Sequence, residues 1–335
     1  MIVIKVCAAV VFFMVLSACE GPIDEVPPQP IGPTYIWMMP RRTTFEELLT
    51  NIDQWQETLE LVDVIGYADH DLNRLYSDAV LSHGFAVLND IGLPLALEVG
   101  AIKEWSVTGA GTFAIQRQTW DKLIGLGATI VGIVLDEPLV AVHAHSQFNF
   151  VGDAEAKFEY AVEETAEFIR LVRENYPHWF VADIEVYPHF TADYVIRWID
   201  ALEARLRAKG VRGQEFFRMD VDWNAFRPRN QYMQHWEEVR RIEDHCRSIG
   251  LPFSQIYWAA NIPRDPGGWL DAILEMGQRY QDAGGMPDQY VIQSWLNNEE
   301  IPEKTLPETD PESFTYSVLE FRKQFIPDRE ELDEE

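Results

Sequence analysis

TIVGIVLDEP, residues 129–138, is the stretch of sequence that decides the fold. A run of apolar residues and one glycine leads into two acids and a proline, which is typical of a buried parallel strand. Pro138 stops the strand directly after the acids, because proline restricts the preceding residue and lacks a backbone donor. Similar runs recur along the chain, so this segment indicates one strand of a repeated strand-helix unit.

Eight such runs occur, and a helical pattern follows each. The predicted strands are Tyr35–Pro40, Val64–Asp69, Pro94–Val99, Thr129–Asp136, Trp179–Val186, Phe216–Asp222, Phe253–Ala260 and Tyr290–Trp295. Alternation of this kind favours a parallel sheet, and eight units over about 300 residues fit a closed (β/α)8 TIM barrel. A doubly wound open sheet is the alternative, although no glycine-rich phosphate turn follows the first strand.

The first residues have the pattern of a bacterial lipoprotein signal. Lys5 precedes an apolar run that ends in Leu16-Ser17-Ala18-Cys19. This pattern predicts a signal peptide over residues 1–18, cleaved before Cys19, which then carries lipid. An ordinary secretory peptide or a membrane anchor is the alternative, but the run is short for a membrane-spanning helix. We therefore expect an exported protein held at a membrane by a lipid anchor.

Three further segments complete the predicted domain organisation. Residues 19–33 carry five prolines and predict an extended tether behind the lipidated cysteine. Residues 34–327 form the predicted barrel, and residues 328–335 an acidic disordered tail. By resemblance to other lipoproteins, Glu20 rather than Asp after the cysteine favours the outer membrane or cell surface of a Gram-negative host.

The charge of the chain argues against one class of partner. It has 27 Lys and Arg residues against 55 Asp and Glu residues, a formal net charge of −28, so nucleic acid is an implausible partner. Of its three cysteines, Cys7 leaves with the signal and Cys19 would be lipidated. Cys246 therefore stands alone, and no disulfide within the chain is expected. The sequence leaves the oligomeric state open.

Carboxylates end several of the predicted strands, where active sites of this fold lie. They are Asp69, Asp136, Glu137, Glu185 and Asp222. Alternation on strand five predicts that the apolar set from Phe180 to Val186 faces the helices, which would turn Asp183 and Glu185 inward.

The same reasoning predicts which charged side chains of two other strands face the barrel interior. They are Arg218, Asp220 and Asp222 on strand six and Glu98 on strand three. We interpret the deeper charges as a structural ion-pair network, because buried charges persist only when they are paired.

Tryptophans at or just past strand ends are typical of a carbohydrate site. They are Trp37, Trp105, Trp223, Trp258 and Trp295. Indole stacks on the apolar face of a sugar ring, while sugar hydroxyls need polar partners. Candidate partners are Asp136, Asn224, Asn261 and Gln293. An apolar plug over the barrel end is the alternative explanation of the tryptophans.

These motifs resemble the TIM-barrel glycoside hydrolases. They are Leu135-Asp136-Glu137-Pro138, Asp183-Ile184-Glu185 and Gln293-Ser294-Trp295. In the best-known clan, an Asn-Glu pair ends strand four and supplies the acid/base, and a Glu ending strand seven is the nucleophile. Glu137 matches the first position, with Asp136 in place of Asn, but strand seven contains no acid. The resemblance implies a glycoside hydrolase without metal or organic cofactor, and it leaves the second carboxylate open.

With Glu137 as the general acid, two other carboxylates are candidates for the second catalytic group. Glu185 on the neighbouring strand would give roughly the 5 Å of a retaining pair, and Asp222, two strands away, suits the inverting separation of about 6.5–9.5 Å. We favour Glu185 at this stage.

Two rival functions remain open. One is a metal-dependent sugar isomerase or lyase with Glu137, Glu185, Asp222 and His189 as ligands. The pair His143-Ala-His145 is a weaker metal motif, because it lacks an obvious third ligand. The other is a lipoprotein that binds glycans without cleaving them.

Overall fold

The computed structural model describes residues 35–222, 235–259, 268–294 and 304–326. Eight parallel strands close into a barrel in chain order, and β8 pairs with β1. The strands are β1 (Tyr35–Met39), β2 (Val64–Ala68), β3 (Leu95–Val99), β4 (Ile130–Asp136), β5 (Phe180–Tyr187), β6 (Phe217–Val221), β7 (Phe253–Tyr257) and β8 (Gln289–Gln293). The predicted (β/α)8 barrel is confirmed.

Helices pack around the outside of the strands. Within the described ranges they are α1 (Phe45–Thr50), α2 (Gln56–Leu61), α3 (Asp69–Leu75), α4 (Asp78–Ile91), α5 (Gly109–Gly125), α6 (Pro138–Ala144), α7 (Ala154–Asn175), α8 (Ala192–Ala208), α9 (Trp236–Ser248), α10 (Gly268–Asp282) and α11 (Phe314–Phe325). None of these helices is long and apolar enough to cross a bilayer. Cys246 on α9 is buried and free.

Two apolar layers hold the barrel together. The outer layer lies between strands and helices and includes Leu95 and Leu97 of β3 and Phe217 and Met219 of β6. The inner layer fills the barrel with side chains such as those of Trp37, Phe180, Ala182, Ile184 and Val291. The predicted facing of strands three and six is therefore confirmed, because their apolar sets pack against the helices.

Strand β5 faces the other way from our prediction. Its residues Ala182 and Ile184 lie in the inner layer, and the acids between them face the helices. Asp183 accepts a hydrogen bond from the indole Nε1 of Trp198 on α8 at 2.6 Å. Glu185 accepts one from the backbone N–H of Leu139, in the first turn of α6, at 2.7 Å. The prediction that both acids point inward was wrong, because donors of the helix layer hold them on the outside of the sheet.

Candidate active site

A group of carboxyl side chains gathers at the carboxyl end of the barrel. Asp136 is the last residue of β4 and Glu137 follows it, while Glu98 and Asp220 are the second-last residues of β3 and β6. Asp222 comes directly after β6. We call these five residues the carboxyl cluster. Their position matches the end of the fold at which catalytic residues of (β/α)8 enzymes are found.

Glu137 occupies a strained backbone position at the exit of β4. It has a φ of 50° and is the one non-glycine residue with positive φ in the part of the chain that the structure describes. A left-handed conformation of this kind costs a non-glycine residue about 1–3 kcal/mol and is concentrated at functional sites. The chain is held there because the Glu137 N–H donates to the Ile184 carbonyl at 3.0 Å and Pro138 starts α6.

The Glu137 carboxyl binds its proton more tightly than an ordinary glutamate. The pKa of Glu137 is raised to about 7, by burial foremost and then by the charge of Asp136, while the charge of Lys103 opposes the rise. A carboxyl with a pKa near neutrality is protonated often enough to act as a general acid at physiological pH.

Lys103 is a site residue that our sequence reasoning missed. Its Nζ lies 2.7 Å from Oδ2 of Asp136, and the side chain of Lys103 is only 15 % exposed. It belongs to a tight hairpin in which the backbones of Lys103 and Ser106 bond to each other in both directions. Burial lowers the pKa of Lys103, but the nearby carboxylates, Asp136 foremost, outweigh it and the net shift is upward.

Glu98 is a second proton-binding carboxyl within reach of the same charges. The pKa of Glu98 is raised to about 8, by burial foremost and then by the charge of Asp136. Gln293 Nε2 donates to Glu98 Oε2 at 3.3 Å, so the predicted polar partner on β8 lies against β3 across the mouth. We had interpreted Glu98 as a structural ion-pair residue; its links to Asp136 and Gln293 make it part of the candidate site.

Asp220 and Arg218 lie deeper on β6. Burial raises the pKa of Asp220 well above its usual range, with the charge of Glu137 the next cause. The indole Nε1 of Trp258 donates to Asp220 Oδ1. Arg218 is fully buried, stacks over the Trp37 ring at 4.0 Å and donates from Nε to Ser254 Oγ at 3.0 Å. Arg218 therefore places a buried cation beneath several carboxyl groups.

The structure separates the two predicted partners of Glu137. Glu185 is 0 % exposed and its carboxylate binds the amino end of α6, outside the sheet. Asp222 is half-buried where β6 ends, and its N–H donates to the Tyr187 carbonyl at 2.9 Å. Since Arg218 lies inside the barrel, alternation turns Asp222 inward as predicted. Asp222 therefore lies at the carboxyl end of the barrel, whereas Glu185 does not face the interior position that our preference for it assumed.

The three predicted tryptophans that the structure describes do not form one rim. Trp37 is 1 % exposed and packs inside the barrel, with ring centroids 5.6 Å from Phe180 and 5.7 Å from Phe216. Trp258 is buried against Asp220, as described above. Trp105, in the hairpin of Lys103, is 49 % exposed and stays available for stacking. Placing Trp37 at the mouth was wrong, because the barrel interior is large enough to need a bulky filler there.

Several predicted residues fall outside the described ranges. They are Cys19, Trp223, Asn224, Asn261 and Trp295.

The tetrad proposed for a metal site is not assembled, because Glu185 faces away from the barrel interior. Among the residues that the structure describes, no group of three or more His, Cys, Asp or Glu side chains could hold a metal ion. His143 Nε2 lies 3.4 Å from Tyr194 Oη, whereas His145 Nε2 lies 3.6 Å from Glu104. The two histidines, one in the last turn of α6 and one directly after it, therefore serve separate contacts.

Comparison with known proteins adds little beyond the fold. No protein-family profile matches the chain, and no curated protein matches it. Among solved structures, an intracellular xylanase from Thermoanaerobacterium saccharolyticum is 11 % identical, with 82 % of this chain and 93 % of the xylanase covered and a TM-score of 0.49.

Aldolases match to a similar degree. A protein described as an aldolase is 12 % identical over 89 % of this chain and 98 % of its own, with a TM-score of 0.46. A deoxyribose phosphate aldolase from Aeropyrum pernix is 13 % identical over 88 % and 90 %, with a TM-score of 0.44. Likeness at this level indicates no particular reaction, so the chemistry must be argued from the site itself.

Proposed function

We propose that the protein is a glycoside hydrolase in which Glu137 is the general acid. The observation that carries the proposal is the placement of Glu137: it directly follows β4 in a strained conformation, and its pKa is raised to about 7 beside Asp136. Paired carboxyl groups whose environments differ are the usual equipment for cleaving a glycosidic bond.

The reaction needs one proton donor and one group that activates water. Glu137 gives its proton to the glycosidic oxygen while the bond from that oxygen to the anomeric carbon breaks. Asp222 takes a proton from a water molecule, whose oxygen bonds to the anomeric carbon from the opposite face. Glu137 leaves the cycle ionised and Asp222 protonated, and exchange with solvent resets both. Because β4 and β6 are separated by β5, this pair suits the wider inverting geometry.

Substrate binding would use the remaining groups of the mouth. The half-exposed ring of Trp105 offers a stacking surface, and Asp136 and Gln293 offer hydrogen-bonding groups for hydroxyls. Sequence position alone supports a binding role for Trp223, Asn224, Asn261 and Trp295. It also supports the export signal, the lipid on Cys19 and a location at the outer membrane.

Release of sugar tests this proposal. We expect the purified protein to liberate reducing ends from at least one member of a panel of neutral and acidic polysaccharides and aryl glycosides. A chelator should not abolish the release, because Glu137 and Asp222 supply the proton transfers. If no substrate of the panel released reducing ends but the protein bound one of the glycans, the result would favour a glycan-binding lipoprotein instead. Activity that appears only with added Mg²⁺ or Mn²⁺ would favour the metal-dependent rival.

A further inference from the structure

We propose that Lys103 is a positioning residue of the carboxyl cluster: its ion pair with Asp136 holds a positive charge beside Glu137, and that charge sets how tightly Glu137 keeps the catalytic proton. This inference rests on the proposed function, because it assigns a task within the same site. The ion pair is short, with Lys103 Nζ 2.7 Å from Asp136 Oδ2. Lys103 is not itself a proton donor in the reaction; it pairs with Asp136, and its charge acts on Glu137.

The backbone around Lys103 is shaped to keep it there. Gly100 lies directly under the lysine stem, and a Cβ added at Gly100 would come within 2.6 Å of Lys103 Cγ. The two backbone bonds between Lys103 and Ser106, at 3.1 and 3.0 Å, hold the hairpin that carries the lysine. A lysine that merely solubilised a loop would need neither an empty glycine position beneath it nor a 15 % exposed side chain.

The charges around the pair explain why one cation matters. Glu98 on β3, Glu137 after β4, Asp220 on β6 and Asp222 after β6 lie around this region, and Arg218 adds a further cation to it. Arg218 is fully buried and acts on Glu98, whereas Lys103 acts on both Glu98 and Glu137. Without Lys103, the charge of Asp136 would act unopposed on Glu137.

The expected effect has a definite sign. The positive charge of Lys103 opposes the rise in the pKa of Glu137, so its removal raises that pKa further. A general acid works in its protonated form, and activity falls as pH rises through its pKa. The basic limb of kcat/KM should therefore lie near pH 7 in the native protein and about one pH unit higher in Lys103→Met.

The experiment measures that limb and titrates the Glu137 carboxyl by ¹³C NMR in the full chain. Lys103→Arg keeps the charge and should restore the native limb. Gly100→Ala crowds the lysine stem and should shift the basic limb of kcat/KM in the same direction as Lys103→Met. This second variant provides the test if Lys103→Met does not fold. The matched control is Lys122→Met on α5, whose Nζ pairs with Asp78 at 2.8 Å away from the cluster.

The two readouts separate the two proposals. The role of Lys103 would be overturned by one result. In Lys103→Met and Gly100→Ala, both the basic limb of kcat/KM and the ¹³C titration of Glu137 would then match those of the native protein and of Lys122→Met. An upward shift of the Glu137 titration without sugar release from any substrate would support the charge assignment and contradict the glycosidase. A purely structural lysine would lower the melting temperature without moving either titration.

Discussion

Glu137→Gln is expected to lower kcat/KM on an unactivated glycosidic linkage by a factor of about 10²–10⁴, the usual contribution of a general acid. The amide has the shape of the carboxyl group but cannot deliver the proton that the leaving oxygen needs. An aryl glycoside with a nitrophenolate leaving group needs little protonation, so its cleavage should suffer much less. The ratio of the two losses, measured by steady-state kinetics, isolates acid catalysis from binding.

The control for that substitution is Glu104→Gln. Glu104 lies in the same hairpin as Lys103, is paired with His145 at 3.6 Å and has a side chain that is 44 % exposed. The Glu104→Gln substitution therefore removes a carboxylate from the same end of the barrel and leaves Glu137 unchanged. Equal losses on both substrates in Glu137→Gln, or a loss of similar size in Glu104→Gln, would show that Glu137 is not the proton donor.

Trp37→Ala is expected to reduce the free energy of unfolding by about 3–5 kcal/mol, the range for truncating a buried large aromatic residue. The indole is 1 % exposed and contacts the rings of Phe180 and Phe216, with the Arg218 guanidinium 4.0 Å from its own ring. Its loss would leave a cavity at the centre of the barrel and remove the nearer of the two aromatic rings that contact the buried Arg218. Urea denaturation followed by circular dichroism measures the change.

Trp105→Ala provides the comparison, since that indole is 49 % exposed. We expect it to change stability by no more than about 0.5 kcal/mol, as for most surface positions, while weakening sugar binding. If Trp37→Ala had the same urea midpoint of unfolding as the native protein, Trp37 would not be a buried packing residue. It would then lie at the barrel mouth, and the barrel interior would be packed differently.

The fold was predictable because every strand carries its own apolar run. In a barrel covered by helices both faces of each strand are buried, so the runs stand out at a regular spacing. Because both faces of β5 are buried, the sequence could not show which face carries its two acids. Asp183 and Glu185 alternate with apolar residues whichever way they face, and only their donors, Trp198 and the Leu139 N–H, fix them on the helix side.

The candidate site was predictable in part. Glu137 and Asp136 stood out because an acid pair before Pro138 marks the end of a strand in the sequence itself. Lys103 gave no comparable signal, because its role depends on a hairpin that brings it back over Gly100 to Asp136. Trp37 was predicted at the barrel mouth but lies in the inner apolar layer. A tryptophan near a strand end fits either place.

The configuration of the first sugar released, followed by proton NMR before mutarotation, is the measurement that decides whether Glu137 and Asp222 work as a pair. We expect inversion: a β-linked substrate should give the α-anomer first, and an α-linked substrate the β-anomer. Retention of configuration would contradict the pairing and point to a nucleophile closer to Glu137 than Asp222.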